Sequence, residues 1–513
     1  MESLPRRSGV LLHPTSLPGR HGMGDLGPAS RDFIDRLAKA GQTYWQILPL
    51  GPINASHSPY QCLSSYAGSE NLISVDDLLA QGLLTERDME DPPHFAEREV
   101  SFERAGHWRE RLLRLAYERF LEAGDTHEFN AWSNHRNQTA WLNDFALYAA
   151  LRTQNSKDTW NKWPTFDKDY EKASAFYHTH PYLGAYLNEL KWRQWVFFKQ
   201  WEALRAYARE KGVSFIGDLP IYVGFDSCDV WAHRDLFELE ADGHPEVISG
   251  VPPDYFSPTG QRWGNPLYDW SRMAQTGFVW WRNRLQHALS MFDYLRIDHF
   301  RGFDTYYEIP AASTTADEGT WRKGPGESVF HSLPAASLQR LIAEDLGEDL
   351  EETIALRRKL GIPGMSILQF NLHCDDHVPG EPDATDAWST DVVVYTGTHD
   401  NRTALGWWLM DSTNHDRNRA EELCRLKPPP HSDWLQHPSS KMCWLAMSHP
   451  SPTCILPLQD VLGLGETCRM NTPGTVENNW VWRCRPSELD DKAAWDRLAQ
   501  MTKAAGRAPA KHA

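Results

Sequence analysis

This chain of 513 residues contains no apolar stretch near the roughly 20 residues that a membrane-spanning helix requires. Its opening, MESLPRRSGVLLHPTSLPG, carries two arginines but only the short run Val10-Leu11-Leu12, too little for the apolar segment of a secretory signal. Eight cysteines are scattered singly, with no CxxC pair. That argues against a disulfide framework and reads as reduced, buried thiols in a cytoplasmic protein. Positive charge is also scarce: 52 Lys and Arg against 69 Asp and Glu leave a formal net charge of −17. A nucleic-acid partner and an anionic membrane surface are therefore excluded. The LGLGET run at Gly463 lacks the third glycine of a dinucleotide loop, and neither a GxxxxGK[ST] phosphate loop nor a GxSxG elbow occurs. HCDDH (His373–His377) crowds potential ligands together, but adjacent residues cannot all face one ion, so no metal is expected there.

What the chain does have is a recurring pattern. Short apolar runs, each followed at once by polar residues, begin at Gly9, Thr43, Val213, Tyr294, Leu341, Ser366, Val392 and Thr453. Helix-like periodicity fills most of the intervals, as in SRDFIDRLAKAG after the first run and SLQRLIAEDLG leading into the fifth. Eight strands alternating with helices predict a (β/α)8 TIM barrel, a single catalytic unit over residues 1–505. Two intervals exceed a simple connection: about 52–212, with three amphipathic helical runs, and about 224–275, rich in Gly, Pro and aromatics. Insertions of that size on the C-terminal face usually wall a cleft. Residues 502–513 read as a flexible tail.

Barrel chemistry sits at the C-terminal ends of strands, and here those ends carry Asp218, Asp298, Glu344 and the pair His399–Asp400. Any one of these acids reads as a surface or capping residue; four at the same phase of four strands point to a site. In YLRIDHF, Arg296 and Asp298 are two apart and share one strand face, which alone would be a structural ion pair. Asp298 and Glu344 end adjacent strands, whose spacing of about 4.8 Å places two carboxyls within reach of one another. A gap of about 5 to 5.5 Å is that of a retaining glycosidase, in which one carboxylate attacks the anomeric carbon and the other protonates the leaving oxygen. Arg296 would keep Asp298 ionised, whereas Glu344, behind Leu341-Ile342-Ala343, would be desolvated and protonated.

RIDHFRGF, AEDLG and YTGTHDN resemble the three catalytic segments of the 4-α-glucanotransferases (amylomaltase, or disproportionating enzyme), a branch of the α-amylase-type barrels. LLHPTSLPG, SPYQ, GDLPIYV, GVPPDYFSPTGQRWGNPLY and RMNTPGT are similar to the same family, so the likeness runs from about Gly9 to Arg485. The resemblance implies that Asp298 is the nucleophile, Glu344 the acid/base and Asp400 a third carboxylate gripping sugar hydroxyls. It implies substrate contacts from Arg296, His399, Asp218, Tyr60, Gln261, Trp263 and Asn471. It further implies maltooligosaccharide or other α-1,4-glucan donors, glucose or maltooligosaccharide acceptors, and no cofactor. Arg402 where relatives often carry Asp, AGSENLI in place of Asn-Pro after Ala-Gly, and ENNW in place of Gly-Asn-Trp depart from the family pattern without touching a catalytic carboxylate. Two rival readings are a hydrolase on the same barrel and a non-catalytic glucan-binding protein. The intact trio of carboxylates argues against the latter.

Overall fold

The computed structural model describes residues 6–177, 179–180, 182–253, 259–373 and 389–509. Its strands are β1 (Arg7–Leu11), β2 (Tyr44–Gln46), β3 (Ser214–Pro220), β4 (Val247–Val251), β5 (Gln261–Pro266), β6 (Tyr294–Asp298), β7 (Thr305–Pro310), β8 (Thr320–Lys323), β9 (Leu341–Ala343), β10 (Gly364–Ile367), β11 (Val392–Tyr395) and β12 (Thr453–Pro457). Eight of them form one parallel sheet in the order β10-β11-β12-β1-β2-β3-β6-β9. The Ala343 amide donates to the Pro363 carbonyl at 2.8 Å, linking the two end strands and bringing the sheet round into a barrel. All eight expected strands are present, in the expected order around the ring.

The strands read as near-continuous apolar runs because both faces are covered, one by the outer helices and the other by the barrel interior. Gly217 in β3 is required by that packing, since a Cβ there would lie 2.2 Å from the Phe292 ring. The interior is not wholly apolar. Tyr395 on β11 donates its hydroxyl to Gln46 on β2 at 2.8 Å, and Arg296 is buried at 3% exposure.

The connections differ from expectation in four places. The helix Gly184–Glu210 buries Trp192, Phe197 and Trp201 and packs against β3 and the helix Pro28–Lys39. It is thus the barrel's own outer helix, and the first insertion ends ahead of it rather than at Gly212. The second insertion supplies β4 and β5, which pair with one another, and β4 also pairs with β7 from the segment after β6, giving an antiparallel sheet of order β5-β4-β7-β8. The helix expected before β9 is a single turn, Ala335–Leu338, because Leu341–Ala343 are committed to the barrel.

The fourth difference is the C-terminal segment, which is packed through Arg507 instead of forming a tail from residue 502. Thr502 is buried and accepts from the Gln42 amide at 2.6 Å. The wholly buried Arg507 guanidinium donates to the carbonyls of Met447, Arg7, Pro452, His449 and Ser451 at 2.7–3.0 Å. Residues 510–513 lie outside the described part, as do residues 254–258 of the Gly250–Tyr268 segment and positions 374–377 of HCDDH. Among the described residues no helix is long and apolar enough to cross a membrane.

Arg507→Ala should take one donor from each of five carbonyls, although Met447, His449 and Ser451 keep Arg6 and Pro452 keeps the Arg7 amide. It should destabilise the fold by about 2 kcal/mol or more, read as a lowered midpoint of urea unfolding. A midpoint unchanged from that of the parent would show the segment to be a tail after all.

Candidate active site

Strand register places the site. In the β3–β6 pair Asp218 stands opposite Arg296, and in the β6–β9 pair Ile297 stands opposite Ala343. Asp298 and Glu344 are therefore the next residues along two neighbouring strands, and the Glu344 amide donates to the Ile297 carbonyl at 3.0 Å. Alternation directs Arg296 and Asp298 to one face, as their ion pair shows. The Arg296 Nη1 donates to both Asp218 oxygens at 2.9 and 2.8 Å, and its Nη2 lies 2.9 Å from Asp298 Oδ1. One buried guanidinium thus serves two carboxylates.

Around this centre, the Tyr60 hydroxyl donates to Asp218 Oδ2 at 2.7 Å. The Tyr60 ring stacks on His399 with centroids 5.2 Å apart, and Trp480 packs 5.7 Å from each of them. His399 Nε2 lies 3.3 Å from Asp400 Oδ2, while the Asn471 side-chain amide donates to Asp400 Oδ1 at 2.6 Å. The turn carrying Asp400 closes on itself: Asn401 Oδ1 accepts from the Thr398 amide and hydroxyl at 2.8 and 2.9 Å. On the far side, Trp263 meets the edge of His299 at 4.8 Å and donates its indole N–H to Gln261 Oε1 at 3.2 Å. All ten residues singled out in the sequence fall within this one connected cluster.

Sequence reasoning missed His299, Trp480 and Arg469. His299 has φ +50°, a left-handed backbone that a non-glycine residue rarely adopts. The turn aims its amide at Glu344 Oε2, 2.7 Å away, while the Leu346 amide donates to Oε1 at 3.1 Å. Trp480 also has a positive φ, +68°, which no residue preference announces. Arg469 donates to the backbone carbonyls of Asp400 and Asn471 at 2.5 and 2.6 Å; its place as the first residue of RMN was the available signal.

Burial dominates the electrostatics. It pushes the Asp298 carboxyl up to about 6, with Arg296 opposing and Asp218 reinforcing the rise. Arg296 lowers the Asp298 pKa in the expected direction, but burial outweighs it and the nearby Asp218 adds to the rise. Glu344 is pushed higher, to about 7, again by burial against the pull of Arg296 and two backbone amides. For Asp400 burial is outweighed by the His399 charge, with hydrogen bonds from His399 and Asn471, and its pKa falls to about 2. Three carboxyls in one cleft thus hold three different proton affinities.

A family model described as 4-alpha-glucanotransferase matches residues 12–489. The chain is 42% identical to the 4-alpha-glucanotransferase of Thermus thermophilus, across 98% of this chain and 99% of that one. It is 40% identical to the enzyme of the same name from Streptococcus pneumoniae serotype 4, across 94% of each. The chain belongs to the 4-alpha-glucanotransferase family.

Among solved structures, the amylomaltase from Streptococcus agalactiae in complex with acarbose superposes with a TM-score of 0.89 at 33% identity, over 98% of this chain and all of that one. Amylomaltase from Corynebacterium glutamicum, at 20% identity and a TM-score of 0.74 over 98% of this chain and 75% of that one, shares the fold. This 4-alpha-glucanotransferase therefore carries its cleft carboxylates on a framework shared with these amylomaltases.

The coupled pair Asp298–Glu344 predicts the pH dependence of kcat/KM for a glucan donor. Activity should rise as one carboxyl ionises near pH 6 and fall as the second proton leaves near pH 7. With a glycosyl fluoride, which departs without protonation, the upper limb should be absent from the parent enzyme and from Glu344→Gln alike. An upper limb that persists with the fluoride would assign it to another group.

Proposed function

We propose that this 4-alpha-glucanotransferase moves α-1,4-glucan segments from a maltooligosaccharide donor to glucose or another maltooligosaccharide by retaining double displacement. The observation that carries the reading is the sharing of Arg296 between Asp218 and Asp298 beside a more weakly acidic Glu344. Arg296 engages Oδ1 of Asp298 and leaves Oδ2 to attack the anomeric carbon. Glu344 gives its proton to the departing glycosidic oxygen as the covalent glycosyl-enzyme forms. The carboxylate then left on Glu344 is steadied by the His299 and Leu346 amides, and it takes the proton from the acceptor hydroxyl in the second half-reaction.

Asp400, fixed between His399 and Asn471, remains ionised throughout and is suited to grip two hydroxyls of the reacting sugar. Tyr60 offers a ring face beneath that sugar. Gln261 and Trp263 lie on β5, at one edge of the antiparallel sheet beside the mouth, placed to cover the donor. Two carboxyls supply all nucleophile and proton work, so the reaction calls for no cofactor. The seven described cysteines are free thiols, in keeping with a cytoplasmic setting.

Transfer rather than hydrolysis requires an acceptor held in place, because bulk water competes at roughly 55 M while oriented hydroxyls reach effective molarities of about 10⁵ M or more. Maltotriose as sole substrate should therefore give glucose and a ladder of longer maltooligosaccharides with a nearly constant number of reducing ends. A steady rise in reducing ends, with no product longer than the substrate, would show a hydrolase instead.

A further inference from the structure

Asp400 sits on a turn whose backbone is held from outside the cleft. Arg469 Nη2 donates to the Asp400 carbonyl at 2.5 Å and its Nε to the Asn471 carbonyl at 2.6 Å. Its remaining terminal nitrogen, Nη1, donates to Glu466 Oε1 at 3.4 Å. The same oxygen accepts from Arg402 Nη1 at 2.5 Å, and Arg402 Nε donates to Asp411 Oδ2 at 2.7 Å. Four alternating charges thus run inward from the helix Ala404–Met410, whose C-terminal end carries Asp411, to the backbone of the third carboxylate. Glu466 has no slack: Oε2 is buried without a hydrogen-bond partner, and a Cβ on Gly406 would lie 2.3 Å from it.

We infer that Arg402 and Glu466 are positioning residues for this enzyme's reaction, acting through Arg469 to set the orientation of Asp400 and Asn471. The inference rests on the assignment of Asp400 as the sugar-gripping carboxylate. By holding Nη1, the Glu466 carboxylate leaves Nη2 and Nε of the planar guanidinium facing the two carbonyls. Arg402 supplies the second positive charge paired with Glu466 in its half-buried place. Because Asp400 grips the sugar as the ring distorts, a small misplacement weakens the transition state more than the ground state.

The test is a double-mutant cycle with a glycosyl fluoride donor, in which Asp400→Asn and Glu466→Gln are made singly and together. Asp400→Asn alone should cost a hundredfold or more in kcat, and its failure to do so would overturn the role of Asp400 itself. Glu466→Gln should lower kcat about tenfold with KM within twofold of the parent and an unchanged melting temperature. In the Asp400→Asn background the same change should cost less than twofold, since the relay then has nothing left to position. Equal losses in both backgrounds would overturn the relay and leave Glu466 a local structural residue. If Glu466→Gln melts early, Arg402→Ala, a change at a partly exposed side chain, decides in its place. A loss of threefold or more in kcat that vanishes beside Asp400→Asn supports the relay, and kcat within twofold of the parent overturns it.

Discussion

A single buried guanidinium organises the mouth of this barrel. Arg296 is almost fully enclosed, and a cation in that position is tolerable only if its charge and its donors are matched. Asp218 on one neighbouring strand and Asp298 two residues along its own strand provide the match. The constraint is strict in both directions. Removing the arginine would leave two buried carboxylates facing one another, and removing Asp218 would let Asp298 take the whole of its charge. The geometry of Asp298, the proposed nucleophile, is therefore fixed by the same contact that makes the barrel interior electrically acceptable.

The division of that charge explains how two acids a strand apart come to different proton affinities. An arginine given wholly to Asp298 would make it a strong acid and a reluctant nucleophile. Shared, it leaves burial in control and Asp298 near 6. Glu344 is farther from the arginine's donors, so burial carries it to about 7, while its two backbone amides keep the ionised form within reach for the second half-reaction. Asp400 obeys the opposite logic: a histidine charge and an amide donor overcome burial, so it never carries the proton.

Much of this was legible in the sequence because barrel strands write themselves plainly. A run of Val, Ile and Leu bounded by polar residues is a strand wherever it falls, and the acids at Asp218, Asp298, Glu344 and Asp400 mark the end at which chemistry gathers. Features that depend on a local dihedral were not legible. Nothing in RIDHF states that His299 turns left-handed to present its amide to Glu344, and nothing in ENNW states that Trp480 folds back onto Tyr60 and His399. Long-range pairing was hidden as well. The partners of β4 and β5 come from a segment on the other side of β6, and the Gly184–Glu210 helix could not be told from an insertion until its buried face was seen against the barrel. The end of the chain read as a tail, whereas the Arg507 guanidinium ties it to five carbonyls of the barrel.

The central claim is that Asp298, positioned by Arg296, attacks the sugar and becomes covalently glycosylated. It is tested most directly by incubating the Glu344→Gln variant with maltotriosyl fluoride and locating the adduct by intact mass and peptide mapping. The fluoride departs without protonation, whereas discharge to an acceptor lacks its base, so the intermediate should accumulate. The account predicts one maltotriosyl unit per chain, on the peptide that contains Asp298. An adduct on the peptide carrying Asp400, or continued fluoride release at steady state with no adduct on any peptide, would contradict it.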